Sequence, residues 1–390
     1  MIMTKNMKSF KLLKFLLVSF SLVFASCSGS VLSQKYSTEG LKNFAATITS
    51  QELREYVEYL ASDDLEGRCA GKKGETKAQE YIVSHFKEIG LKPVGDKDEN
   101  GANTFYQKIG KGTMRNCVGL LEGADEELKK EIIIIGAHHD GQGMENDPIR
   151  HNPGGCPEDK IWNSADDNAS GVSVVLACAR AFAKSKIKTK RSILFMTFTG
   201  EELGFFGSRY YVKNPLFPLK NHIAMLNFDM VGRSTKRSIT VGCTGAFEDS
   251  DIIENLFKDM GKKMGFQIKS NRAGWGSADH LSFLTKKIPA VHFCTGLHKD
   301  YHARTDTADK LNYGAMRDLA MSVFLILNEM ANAKYLPKYN NNYDLERIIH
   351  PKLRKLFEEE KSPEEKKSSD KEWEKIPRGL KKKIFIKRAA

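Results

Sequence analysis

Short apolar runs along the chain alternate with longer stretches in which apolar residues recur at helical spacing. Ile132–Ile135 is four consecutive β-branched residues, the pattern of a strand buried on both faces. Ser192–Phe198, Ile223–Phe228, Ile239–Val241 and Ala290–Phe293 predict further strands. Glu52–Leu60 and Lys77–Ile89 read as amphipathic helices, the second closed by Gly90 as its C-cap. Asn168-Ala169-Ser170-Gly171 supplies small and capping residues that open a helix continued by Val172–Ala183. Ile252–Met264 and Tyr313–Ala333 complete the helical patterns. Strands alternating with helices predict an α/β fold, a mostly parallel central sheet with helices on both faces. No internal repeat interrupts this order. From about Lys338 the periodicity decays, and Glu358–Lys375 is charge-dense, the composition of solvated helix or disorder.

The first residues follow a different rule. Lys5, Lys8, Lys11 and Lys14 precede an apolar run of eleven residues, Phe15–Ala25. A permanent span needs about 20 apolar residues. A basic flank, a short apolar core and small residues at its end predict a secretory signal over residues 1–26. Ala25-Ser26-Cys27 resembles a bacterial lipoprotein signal, in which the cysteine becomes the lipidated first residue. On that reading Cys27 anchors an exported, cell-envelope protein to a membrane, facing the periplasm or the cell surface. Residues 27–50 are then a tether, 51–336 the folded domain and 337–390 a charged C-terminal extension.

Charge changes the picture only at the ends. Of the 390 residues, 61 are Lys or Arg and 49 Asp or Glu, a net charge of +12. Residues 1–26 hold +4 of it and residues 351–390 hold +6, which leaves +2 for residues 27–350. A nearly neutral body argues against a nucleic-acid partner. Seven cysteines occur with no C-x-x-C pair, so no zinc-finger spacing is present and no disulfide pairing is specified. Cys178 falls inside an apolar helical pattern and predicts a core position.

Five polar clusters punctuate the strands: His138-His139-Asp140, Asp166-Asp167-Asn168, Glu201-Glu202, Asp229, and His302 with Asp306. Four of the five fall at or just beyond the carboxyl ends of predicted strands, where open α/β sheets bind ligands. Histidines and carboxylates without cysteine suit Zn²⁺, Mn²⁺ or Co²⁺.

Taken together, Gly136-Ala-His-His-Asp140, Ala165-Asp-Asp-Asn-Ala-Ser-Gly171, Gly200-Glu-Glu-Leu-Gly204, Asn227-Phe-Asp-Met-Val-Gly232 and Tyr301-His-Ala-Arg-Thr-Asp-Thr307 resemble the M28 family of co-catalytic zinc aminopeptidases. Leu60–Arg68 and Gly207-Ser208 extend the resemblance, which runs from about Gln51 to Ala333. It implies a two-zinc aminopeptidase acting on peptides with a free N-terminus. By position the metal ligands would be His138, Asp166, Glu202, Asp229 and His302. Asp166 would bridge, with His138 and Asp229 on one metal and Glu202 and His302 on the other. Glu201 would be the general base. Asp140 would orient the His138 imidazole through its other nitrogen, and Asp167 would shape the backbone without coordinating.

The chain also departs from the pattern. Residues 91–131 are too few for the inserted domain of larger relatives. Trp275 stands in Gly274–His280 where some relatives carry a tyrosine, and Asp279 and His280 are candidate pocket residues. The long Gly141–Trp162 connection, with His151 and Cys156, predicts a wall of the substrate cleft. Residues 351–390 lie past all five motifs and receive no part in the site. Two other readings share the scaffold: a single-zinc glutaminyl cyclase and a non-catalytic binding module. The full ligand set and the retained base favour the peptidase.

Overall fold

The computed structural model describes residues 38–147, 149, 158–349 and 351–358. The signal, Cys27, His151, Cys156 and residues 359–390 lie outside the described residues. The strands are β1 (Lys92–Pro93), β2 (Tyr106–Lys108), β3 (Arg115–Leu121), β4 (Ile132–His138), β5 (Gly143–Met144), β6 (Ile161–Trp162), β7 (Ser192–Phe198), β8 (His222–Phe228), β9 (Ser238–Gly242), β10 (Gln267–Asn271) and β11 (Ala290–Cys294). The helices are α1 (Thr38–Ala45), α2 (Ser50–Leu60), α3 (Lys73–Glu88), α4 (Gly171–Ser185), α5 (Phe206–Lys213), α6 (Ser250–Lys263), α7 (His280–Leu284), α8 (Tyr313–Asn332) and α9 (Pro351–Glu358).

Nine strands form one sheet in the order β1-β3-β7-β4-β8-β11-β9-β10, with β2 paired to β3. The sheet is mixed rather than mostly parallel. β7, β4, β8 and β11 run parallel at its centre, but β3 joins β7 and β9 joins β11 antiparallel. β5 and β6 make a separate two-stranded ribbon.

Both faces of the central strands are buried, which explains their continuous apolar runs. Ile133, Ile135 and Ala137 of β4 join one apolar cluster with α1, α2, α3, α4, α6 and α8. Ile132 and Ile134 join the opposite cluster with α5, α7 and α9. The period of two follows from the pleat. Each fully buried isoleucine contributes roughly 1.5–3 kcal/mol. A Cβ at Gly136 would come within 2.7 Å of the Phe198 ring, so glycine permits this packing. Gly90, at φ +73°, closes α3 as expected.

Two boundaries expected from the sequence move. Residues 38–50 are not a free tether, since Leu41, Ala45 and Ile48 are core residues. Residues 338–349 and 351–358 do not leave the fold. Ile348, Ile349 and Leu353 are buried in the second cluster, and Tyr339, Tyr343, Leu356 and Phe357 pack against it. Cys69, Cys117, Cys178, Cys243 and Cys294 are buried free thiols. Among the described residues no helix is long and apolar enough to cross a membrane.

Candidate metal centre

Because β7, β4, β8 and β11 are parallel neighbours, their carboxyl ends share one edge of the sheet. His138 is the last residue of β4, and Asp229 directly follows β8. Glu201 and Glu202 lie in the turn after β7, His302 in the segment after β11, and Asp167 in the loop between β6 and α4. Residues far apart in the chain thus meet at one point of the fold.

His138 Nε2 lies 3.1 Å from Asp167 Oδ1 and 3.5 Å from Asp229 Oδ1. His302 Nε2 lies 3.0 Å from Asp167 Oδ2 and 3.4 Å from Glu202 Oε2. One carboxylate therefore faces both imidazoles. Two donor groups result, His138–Asp167–Asp229 and Asp167–Glu202–His302, each with its ligand atoms within 4.8 Å of one another.

The shared position corrects the sequence reading, which put Asp166 there. The Asp166 carboxylate turns the other way: Oδ1 accepts from the Gly232 backbone N–H at 2.7 Å, and Oδ2 lies 3.0 Å from His298 Nε2. The backbone at Asp167 is non-helical (φ −110°, ψ 82°), so the two neighbouring side chains diverge. Asp166 supports the loop, and Asp167 occupies the site. The Asn168 side chain bonds the Phe228 carbonyl and the Gly171 and Met230 N–H groups, fixing the residue next to Asp167; no sequence signal separates the two aspartates.

The surrounding contacts set orientation. His138 Nδ1 lies 3.2 Å from the Asp140 carbonyl and 3.5 Å from its carboxylate, which favours a proton on Nδ1 and leaves Nε2 free to ligate. The same Asp140 carboxylate accepts from the backbone N–H groups of Glu201 and Glu202 at 3.1 and 3.2 Å, tying β4 to the turn after β7. His139 points away, with Nδ1 2.9 Å from Thr197 Oγ1, and burial pushes its pKa down to about 3. The Asp306 carboxylate accepts from the N–H groups of Asp166 and Asp167 at 3.0–3.1 Å, linking their loop to the His302 segment. Arg68, buried, donates to the carbonyls of Leu60, His139, Asn163 and Ser164.

The electrostatics are those of crowded buried acids. Burial, joined by Glu202, Asp229 and Asp279 and opposed by His138, holds the Glu201 carboxyl well above its usual range. Burial also pushes Glu202 up to about 8, against the pull of His302. Burial disfavours charge on His138, yet Asp140, Asp167 and Asp229 outweigh it and raise its pKa. Divalent cations among these groups would reverse the balance and favour the carboxylates. The residues fit such ions. His138 Nε2, Asp229 Oδ1 and Glu202 Oε1 are buried without hydrogen-bond partners, and the donors are nitrogen and oxygen only.

The flanking residues take varied positions. Tyr301 stacks on His302, ring centroids 3.8 Å apart, and its phenol pKa is raised by burial and by the nearby carboxylates of Asp167, Glu202, Glu201 and Asp229. It faces the cluster, although the sequence reading gave it no role. Asp279 and His280 are fully buried, and His280 stacks on His292 at 4.7 Å. Trp275 lies edge-on to His292 at 5.6 Å. The Arg304 guanidinium sits 4.3 Å over the Trp162 ring, so the β5–β6 ribbon packs on the segment that carries His302.

Comparison with known proteins supplies the family. The profile of Peptidase family M28 matches residues 116–327. Aminopeptidase YwaD of Bacillus subtilis is 26% identical over 266 residues, which cover 64% of this chain but only 54% of that protein. The LapA aminopeptidase structure from Legionella pneumophila superimposes with a TM-score of 0.60 at 22% identity, covering 77% of this chain and 76% of the other. Porphyromonas gingivalis glutaminyl cyclase shares the fold too, with a TM-score of 0.55, 16% identity, and 73% and 99% coverage of this chain and that one. The family profile spans more than half of the chain and includes all five clustered residues, so the chain belongs to peptidase family M28.

Proposed function

We propose that the protein is an exported two-zinc aminopeptidase that removes N-terminal residues from peptides. The observation that carries this reading is Asp167, one buried carboxylate set between two histidine–carboxylate groups. His138, Asp167 and Asp229 would hold one ion, and Asp167, Glu202 and His302 the other. Such ions supply a water of lowered pKa and polarise the scissile carbonyl. Glu201, beside Glu202 and outside both donor groups, takes the proton of the attacking water and returns it to the leaving amine. Asp140 keeps the His138 ring in one tautomer and sets the direction of the Glu201–Glu202 turn. The β5–β6 ribbon forms one wall of the cleft. A single-zinc cyclase needs only one of the donor groups, and this chain builds both.

The test is a panel of aminoacyl p-nitroanilides with free and acetylated N-termini, together with a peptide carrying N-terminal glutamine. Cleavage of the free series alone, abolished by a chelator and restored by zinc, is expected. Cyclisation of the glutamine peptide without cleavage would sink the proposal.

A further inference from the structure

The turn that carries Glu201 and Glu202 is held from outside by the C-terminal helix. Gly204 and Phe205 donate their backbone N–H groups to the Glu201 carbonyl at 2.8 and 3.0 Å, and Phe206 and Gly207 close back on Gly200 and Thr199. This tight turn places Phe205 at φ +62°, in the left-handed region that bulky side chains avoid. A phenylalanine persists in such a conformation only where its surroundings fix it. Phe205 is buried, and its ring stacks nearly parallel on Phe357 of α9, with centroids 6.3 Å apart and 9° between planes. Leu356 Cδ1 lies 3.4 Å from where a Cβ of Gly204 would stand. Arg209, in the middle of α5, donates to the Leu356 carbonyl at 2.5 Å and lies 5.9 Å over the Phe357 ring. Leu353 anchors the helix in the apolar cluster beneath.

We infer that α9 is a strap that positions the Glu201–Glu202 turn, with Phe357 and Leu356 as positioning residues for the base and for one metal ligand. The inference rests on the function proposed above for Glu201 and Glu202. Neither residue touches the reacting atoms. They act through Phe205 and Gly204, three residues and fewer from Glu202. Loss of the stacked ring frees Phe205 to leave the left-handed region, and the turn relaxes with it.

The test uses the full chain with Phe357→Ala, with Phe357→Leu as the milder variant, and with Tyr339→Ala as control. Tyr339 packs on the same apolar cluster. Amide hydrogen exchange is read over residues 199–207, beside kcat and zinc binding. Phe357→Ala should speed exchange in the turn, lower kcat roughly 10- to 100-fold and weaken one zinc at least about tenfold. Phe357→Leu should recover part of each. Tyr339→Ala should lower the Tm and leave all three readouts unchanged. Unchanged exchange over 199–207 in both Phe357 variants would overturn the strap, whatever the wild-type activity. Faster exchange with unchanged kcat and zinc affinity would overturn its positioning role. If the wild-type chain neither binds two zinc ions nor cleaves peptides, the proposed function fails, and the exchange result still judges the strap.

Discussion

Glu201 and Glu202 are chemically alike neighbours with different surroundings. Glu202 stands 3.4 Å from His302 and belongs to a donor group, whereas Glu201 belongs to neither. Glu202→Gln should therefore lower zinc content and activity together. Glu201→Gln should keep its zinc while kcat falls by roughly 10²–10⁴, with KM little changed. Zinc analysis and steady-state kinetics on the two variants decide this, and the reverse pattern would exchange the roles. At this scale neighbours of the same kind are separated by position in the fold, which the residue types alone do not carry. His138 sits at the strand end facing the cluster, and His139 turns to Thr197. Asp166 and Asp167 could be separated only by the backbone dihedrals between them, which composition and spacing do not reveal.

Among the elements, the central strands announced themselves because both faces are apolar. Ser192–Phe198 was legible to the residue as β7. β3 was missed because Asn116 and Gly119 break its apolar run, and β10 because an edge strand exposes most of its side chains. The antiparallel pairings at the sheet margins follow from connections that alternation of strands and helices does not encode. Arg68 adds a polar tie between these elements: it reaches carbonyls at the end of α2, after β4 and before α4. Arg68→Met would leave these carbonyls buried without donors. The expected cost is about 3–5 kcal/mol, seen as a Tm lowered by several degrees in differential scanning calorimetry. A Tm equal to that of the wild type would show that water replaces the guanidinium.

For the whole molecule, charge and the two ends carry the remaining information. The basic ends account for most of the net charge, and the body that holds the metal centre is nearly neutral. The tail reads as solvated because its apolar residues are sparse, yet those few in 338–349 and 351–358 pack on the sheet. The export proposed above rests on Ala25-Ser26-Cys27 after a short apolar core. Cys27→Ala should move the protein from the membrane to the soluble fraction, as judged by fractionation and immunoblot. Membrane association that survives the change and a high-salt wash would remove the lipid anchor from the account. The central claim is the pair of metal positions sharing Asp167. Zinc per chain counted by native mass spectrometry tests it most directly. The account predicts two ions per wild-type chain, both retained in Asp166→Asn and at least one lost in Asp167→Asn. One ion per wild-type chain, or two in Asp167→Asn with loss in Asp166→Asn, would contradict it.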